Sequence, residues 1–353
     1  MTNVVRIRSY DELISSIPHT LGFTPAESMV GLGFGDGPIT RVDLPHSPEE
    51  MGEWVHLFTD VYLRRHHPHR VALVAYGPDG GRCVEALAAL GAALVEGEVI
   101  GPDIGPVLWV NGDQWTDLLE GTQGVVDPSS RARIDAEFAL LGCVMPAAGR
   151  EDLAAAMQGD PTGVAAHLPI AQARFKAMDL NAIEREAGWL GDRLDRFRND
   201  RRYLSDMDVA RVLAAIHDNG VRDTAVFRMN REDAPVFSEL WQDLVRRAPT
   251  EVRDTPATLL ALSSFLEGRG AQAWVALDQL SERDTLGDLV AAALEQAVDP
   301  REWDRGLPAA ASALMQGAAL RDTAAQNRRI KDQAAPETPG IHAVEPHAPG
   351  PGL

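Results

Sequence analysis

Arg41 and Asp43 stand two residues apart in the segment ITRVDL. In a strand both side chains point to one face, where a cation and a carboxylate can pair with each other or hold a ligand between them. Gly77-Pro78-Asp79-Gly80-Gly81 breaks an apolar run and precedes a helical pattern. The amides of Gly80 and Gly81 could cradle an anion at that helix start, although an ordinary strand-to-helix turn accounts for the same residues. Asn111-Gly112-Asp113 breaks the next apolar run. Ligands of open α/β sheets bind beyond the carboxyl ends of parallel strands. The candidate binding positions are therefore Gly80, Gly81, Asn111 and Asp113, with Arg41 and Asp43 beside them.

Other clusters are weaker chemistry. His66-His67-Pro68-His69 is the densest group of histidines. Metal-binding histidines on a helix usually stand four apart, whereas these are adjacent, interrupted by proline and without a carboxylate or thiol to complete a set. With Arg64, Arg65 and Arg70 they suit the C-terminus of a helix, and no metal site is expected. Gly31, Gly33, Gly35 and Gly37 resemble a nucleotide loop, but a strand follows them where a phosphate loop needs a helix. Arg222-Asp223 opens a helix, where Asp223 favours the dipole. Ser28 has no placed partner histidine. Gly-x-Ser-x-Gly, Walker and His-Glu-x-x-His patterns are absent. No cofactor is indicated and no catalytic residue is identifiable.

The elements that must position these residues fall into two halves. Ser9 and Glu12 form a capping-box pattern ahead of a short helix over 10–16. Pro18 and Pro25 bound a loop in which Gly22, between the apolar Leu21 and Phe23, favours a left-handed turn. Residues 28–34 and 39–44 read as a hairpin around Gly35-Asp36-Gly37. Ser47-Pro48-Glu49-Glu50 is a helix start, with a stripe of Met51, Val55, Phe58 and Tyr62. Residues 70–76 (RVALVAY) form an apolar run suited to a strand buried on both faces, followed by a helix over 83–96 and a strand over 107–110. The alternation implies parallel strands with right-handed crossovers.

Beyond Arg131 only helices are expected. The clearest lies within 171–198, with Leu180, Ile183, Ala187, Leu190, Leu194 and Phe197 as its stripe. A helix from Asp206 ends at Asn219-Gly220, and further helices follow to 330. The stretch 274–297 resembles one tetratricopeptide-like hairpin, with no second copy at a fixed period. The expected fold is an α/β N-terminal domain over 1–130, a mixed sheet with parallel βαβ units and an N-terminal β-hairpin, then an all-α helical domain over 131–330 and a disordered Pro-rich tail over 331–353.

Composition narrows function. The chain has 353 residues, 45% hydrophobic and 24% charged, with a formal net charge of -19. That charge disfavours nucleic acid and anionic membrane surfaces as partners. Residues 1–10 carry Arg6 and Arg8 but no apolar h-region, so no signal peptide is expected. Cys83 and Cys143 make neither a disulfide framework nor a zinc spacing, and suit two buried thiols in a reducing cytoplasm.

The run Pro18-His19-Thr20-Leu21-Gly22-Phe23-Thr24-Pro25-Ala26-Glu27-Ser28-Met29-Val30, with Arg41-Val42-Asp43-Leu44-Pro45, resembles the opening of the actinobacterial domain-of-unknown-function family 4192. Val221-Arg222-Asp223 and Leu240-Trp241 are similar to its middle, and the stretch around Gly268-Arg269-Gly270 through Trp274 to its C-terminal signature. The resemblance covers about residues 10–304, with a shorter loop here at Arg283-Asp284-Thr285. It implies a cytoplasmic protein of a high-GC Gram-positive bacterium and carries no catalytic residues. The expected role is a non-enzymatic protein-interaction module with a protein partner. The alternative is a small-molecule or nucleotide-binding enzyme using the strand-end loops.

The charge leads to a direct test. Mixed with duplex or single-stranded nucleic acid at physiological salt, the protein should give no mobility shift, because few phosphates can be neutralised.

Overall fold

A computed structural model describes residues 5–34, 39–96, 103–141, 143 and 145–303. The turn expected at 35–37, the helix expected over 307–330 and the tail from 331 lie outside the described residues. Residues Met1–Arg305 gather into one compact unit.

Ser9 caps helix α1 (Tyr10–Leu21), its Oγ accepting from the Glu12 amide at 3.3 Å. The Glu12 carboxylate accepts in return from the Arg8 amide at 2.6 Å, a capping box displaced by one residue. The helix runs beyond its expected end, through Pro18. Proline forfeits one helical hydrogen bond, but Leu13, Ile14, Ile17 and Leu21 complete a buried stripe only if the helix continues. Gly22 ends it at φ 85°, donating to the Pro18 carbonyl at 2.7 Å. Phe23 then turns inward and is 2% exposed.

Strands β1 (Ser28–Gly33) and β2 (Ile39–Asp43) pair antiparallel, with Val30 opposite Arg41. Ser47 and Pro48 open helix α2 (Pro48–His56) as expected. The helix continues as a π-helix (Leu57–Leu63) and a last turn, α3 (Arg64–His66). Trp54, Phe58 and Tyr62 form a buried stripe of rings. Phe58 lies so close over β1 that a Cβ on Gly31 would fall 2.7 Å from its Cζ, which accounts for glycine within a strand.

Strand β3 (Arg70–Tyr76), helix α4 (Gly80–Glu96) and strand β4 (Asp103–Asn111) form one parallel βαβ unit. Strands β5 (Gln114–Asp117) and β6 (Gln123–Val125) add two antiparallel pairings that the sequence reading misses. Asn111-Gly112-Asp113 does not end the sheet locally. Gly112, at φ 61°, opens a two-residue turn that returns the chain along β4. The sheet order is β2-β1-β3-β4-β5-β6, and β3–β4 is its parallel pair. The expectation of several parallel units is thus corrected. β1 lies between β2 and β3 and runs antiparallel to both.

Both faces of β3 are covered. Val71, Leu73 and Ala75 join Met29, Trp54, Phe58 and Leu90 in one apolar cluster. Ala72, Val74 and Tyr76 join Ile17, Phe23 and the later helices in another. Those helices are α5 (Pro128–Leu140), α6 (Arg150–Ala155), α7 (Thr162–Ala165), α8 (Leu168–Lys176), α9 (Leu180–Asp200), α10 (Asp206–Ala215), α11 (Asn219–Val226), α12 (Ala234–Arg247), α13 (Asp254–Leu266), α14 (Gly270–Leu277) and α15 (Thr285–Glu295). Residues 256–266 of α13 are all buried, so it is the centre of the helical part. Buried Glu186 on α9 accepts hydrogen bonds from Arg174 on α8 and Arg211 on α10, tying three helices.

Three local expectations are corrected. Leu180 is 80% exposed, so the α9 stripe begins one turn later, with Ile183 and Ala187 partly buried and Leu190, Leu194 and Phe197 fully so. Asn219-Gly220 starts α11 rather than ending α10, because the Asp218 side chain caps the Val221 amide at 3.1 Å. Cys83 is buried, but Cys143 is exposed. None of the described helices is long and apolar enough to cross a membrane.

Gly22 and Phe23 yield a stability prediction. A Cβ on Gly22 would combine positive φ with a 2.9 Å approach to Arg269 Nη2. Gly22→Ala should destabilise by about 1 kcal/mol or more, and Phe23→Ala by about 3–5 kcal/mol, read as lowered midpoints in urea. An unchanged midpoint for Phe23→Ala would refute its role as a core anchor.

Candidate functional site

A cleft of about 460 Å³ opens at the β2 edge of the sheet. One wall is the end of α1 with Phe23, together with Ile39, Thr40 and Arg41 of β2. Tyr62 and His66 close it from the π-helix and α3. The opposite wall comes from the α13–α14 junction, including Phe265, Glu267 and Trp274, and from residues just after α15, including Ala297, Asp299 and Arg301. The pocket is thus an apolar trough with charged groups set into it.

Arg41 is held by its surroundings. Its Nη2 donates to the Ala26 carbonyl at 3.4 Å and pairs with Asp43, and its guanidinium carbon lies 5.7 Å from the Phe23 ring centroid. Its Nε is buried without a hydrogen-bond partner. Strand periodicity puts Arg41 and Asp43 on one face, and they form an ion pair there. Arg301 is bonded to Asp299, and Arg150 to Asp278 at 2.5 Å. Arg231 is exposed, and its charge acts on Asp299 in the same lining. Burial alone would raise the Asp299 pKa, but hydrogen bonds from the Arg301 side chain and backbone outweigh it and leave it lowered.

His66 is half-buried, with its ring 5.6 Å from that of Tyr62. Its Nε2 is buried and unpartnered, while the ring interacts with the backbone carbonyl of Ala297. A neutral imidazole offers one donor and one acceptor nitrogen. Burial lowers the His66 pKa, opposed by the Ala297 carbonyl and by Asp299 and Glu302, and assisted by Arg65. Ala297 itself has φ 47°, a left-handed conformation unusual for alanine. Glu267 supplies a second acceptor: Oε1 lies 3.5 Å from Arg269 Nη1, and Oε2 is buried without a partner.

The other sequence candidates lie elsewhere. A Cβ on Gly80 would fall 2.8 Å from Trp109 Cη2, and Trp109 Nε1 donates to the Gly77 carbonyl at 2.9 Å. The indole thus fills the space over this strand end. Beside Gly81, Asp79 accepts from the Arg82 amide at 3.2 Å, taking the position an anion would use. Asn111 and Asp113 sit in the β4–β5 turn, with Asp113 bonded to Arg131 at 2.6 Å. Of the six candidates, only Arg41 lines the cleft. His66, Glu267 and Trp274 were not singled out as site residues by the sequence. The Phe58–Tyr62–His66 spacing of four is the signal that extends the buried stripe to His66. Among the described residues no three histidine, cysteine or carboxylate side chains are placed to hold a metal.

The His66 shift has a stability consequence with a defined sign. A histidine whose folded pKa is depressed is favoured neutral, so the unfolded chain binds more protons. Stability should fall as pH drops below about 6.5, the unfolded value, until His66 protonates in the folded state. His217, also lowered, acts in the same direction. In urea titrations at neutral and mildly acidic pH, His66→Gln should lose less stability on acidification than the parent. Equal losses would show that His66 does not couple to folding.

Comparison with known proteins adds one relationship. Neither a curated protein nor a solved structure matches the chain. The model of a domain of unknown function matches residues 11–301, which span every wall of the cleft. The chain therefore belongs to the domain-of-unknown-function family DUF4192.

Proposed function

We propose that the protein binds a small organic molecule in the cleft at the β2 edge. One observation carries this reading: the cleft joins an apolar lining of Phe23, Ile39, Phe265 and Trp274 to the charged or polar side chains of Arg41, His66, Arg231 and Glu267, the mixture of apolar walls and few polar groups typical of small-molecule sites. The volume lies within the range of small-molecule sites, roughly 300–1,000 Å³. Free Cys83 and Cys143 suit a reducing compartment, which supports a cytoplasmic place of action.

A non-enzymatic protein-interaction role has less to rest on. Leu140, Ile170 and Leu180 are 87%, 73% and 80% exposed, but they sit on three different helices, and none borders the cleft.

The reading is tested by a thermal-shift screen of nucleotides, phosphorylated metabolites and organic acids. A ligand at a hundredfold excess over its Kd should stabilise by about 3 kcal/mol. Thr40→Trp and Ala271→Trp, which put bulk into the cleft from opposite walls, should each abolish the shift while the far-ultraviolet spectrum is retained. A ligand whose shift survives both variants binds elsewhere and overturns the proposal.

A further inference from the structure

The hydrogen bonds of β1 fix which way the backbone of β2 points. In an antiparallel ladder, opposite residues alternate between pairs that exchange both hydrogen bonds and pairs that exchange none. The Leu44 amide donates to the Glu27 carbonyl at 2.8 Å, one step beyond the pairing of Ser28 with Asp43. Bonded pairs therefore recur at Met29–Val42 and Gly31–Thr40. The Phe34 amide donates to the Arg70 carbonyl at 2.9 Å and gives β1 the same phase independently: its even residues bond to β3 and its odd ones to β2. The amides and carbonyls of Ile39, Arg41 and Asp43 thus point away from β1, to the outer edge. None of these groups has a hydrogen-bond partner among the described residues.

The cleft lies where a further strand would run. Ile39, Thr40 and Arg41 all line it. Consecutive strand residues point to opposite faces, so the cleft follows the edge of β2 rather than covering one face. Its other walls come from both layers that sandwich the sheet. Tyr62 belongs to the apolar cluster on one face, and Phe23 and Phe265 to the cluster on the other. The charges are also uneven. Arg41, Arg150, Arg231 and Arg301 line the cleft against Glu267 and Asp299. Asp43 and Asp278, the partners of Arg41 and Arg150, lie outside the lining. This local balance is opposite in sign to the chain's net charge of -19.

Resting on the small-molecule reading of this cleft, we propose that its ligand is a short acidic peptide, bound in extended conformation as a seventh strand beside β2. A peptide backbone presents the alternating donors and acceptors that the outward groups of Ile39 and Arg41 call for. Its side chains turn alternately to the Tyr62 wall and to the wall of Phe23 and Phe265. Main-chain bonds supply affinity for any sequence, and the walls supply selection. The surplus of arginine selects an acidic side chain. About five residues suffice, because only Ile39 to Arg41 border the cleft on the strand side.

The test starts from random pentapeptides displayed on phage and selected on the immobilised full-length protein. Enriched sequences should carry Asp or Glu, and their synthetic forms should bind in titration calorimetry. Each amide of the tightest peptide is then N-methylated in turn. In an added strand alternate amides face β2, so a loss of about tenfold or more should recur at every second position. Ile39→Pro removes one outward amide at the first residue of an edge strand, where proline is compatible with a sheet. It should weaken the peptide about tenfold while the far-ultraviolet spectrum is retained. The N-methyl scan reads the same geometry on the parent protein and does not depend on that variant folding. Sensitivity to N-methylation without a period of two overturns strand addition. Enrichment of neutral or basic sequences overturns the acidic assignment. Recovery of no binding peptide overturns the ligand class, as does peptide binding that survives both Thr40→Trp and Ala271→Trp. A dimer in sedimentation that Ile39→Pro splits also overturns it, because the edge then serves a second copy. The small-molecule reading falls separately, if screen ligands still bind when both tryptophan variants block the cleft.

Discussion

Strand β3 is the constraint on which the rest depends. Six of its seven residues are buried, on alternating faces, and it pairs with β1 on one side and β4 on the other. A strand enclosed in this way cannot leave either backbone edge unpaired or either side-chain face wet. The neighbouring strands satisfy the edges. The α2–π–α3 segment and α4 cover one face, and α1 with the later helices covers the other. The long helical region is therefore part of how the sheet is buried, because the apolar cluster on that face runs continuously from Val74 to α15.

The cleft follows from the same arrangement. β2 is the last strand on its side, so its outer edge has no further strand to meet. Exposed edges invite unwanted pairing unless they are covered. Here the covering comes from the far end of the sequence, and it does not close fully against β2. Phe23 and Trp274, distant in the chain, face a common space. The Gly22 turn brings the α1 end within reach of Arg269, which stands between cleft-lining Gly268 and Gly270.

Much of this architecture is legible wherever local chemistry decides the outcome. The β1–β2 hairpin is identified by the Asp-Gly signal between two apolar runs, although 28–34 alternates only weakly, Ser47-Pro48 starts a helix through its own side chain and ring, and 70–76 is apolar after Arg70. Legibility ends where tertiary contacts override local signals. Pro18 reads as a helix breaker, but the stripe completed by Leu21 prevails. β5 and β6 are short and rich in Gln, Thr and Asp, so nothing in their pattern marks them as strands until β4 offers an edge. The cleft is the least legible feature. Its walls come from seven separated regions of the chain, and Arg41 is its only residue that spacing alone brings forward. His66, with its adjacent histidines, reads as the dressing of a helix end, a position it does occupy, while the far wall of the cleft it lines comes from residues about 200 positions later.

The π-helix between α2 and α3 gives the orientation of His66 an unusual origin. An ordinary α-helix advances about 100° per residue around its axis, and a π-turn accommodates an additional residue without ending the helix. Leu57–Leu63 thus acts as a rotational offset. Trp54 before it faces the sheet, and His66 after it is turned toward the cleft. Loss of one residue from this segment could restore regular α-helical bonding while swinging everything downstream by about 100°. Along such a lineage the helix would remain and Trp54, ahead of it, would keep its place. The imidazole, however, would leave the cleft. A single-codon deletion could in this way change the chemistry of the cavity while leaving all of its other side chains in the sequence.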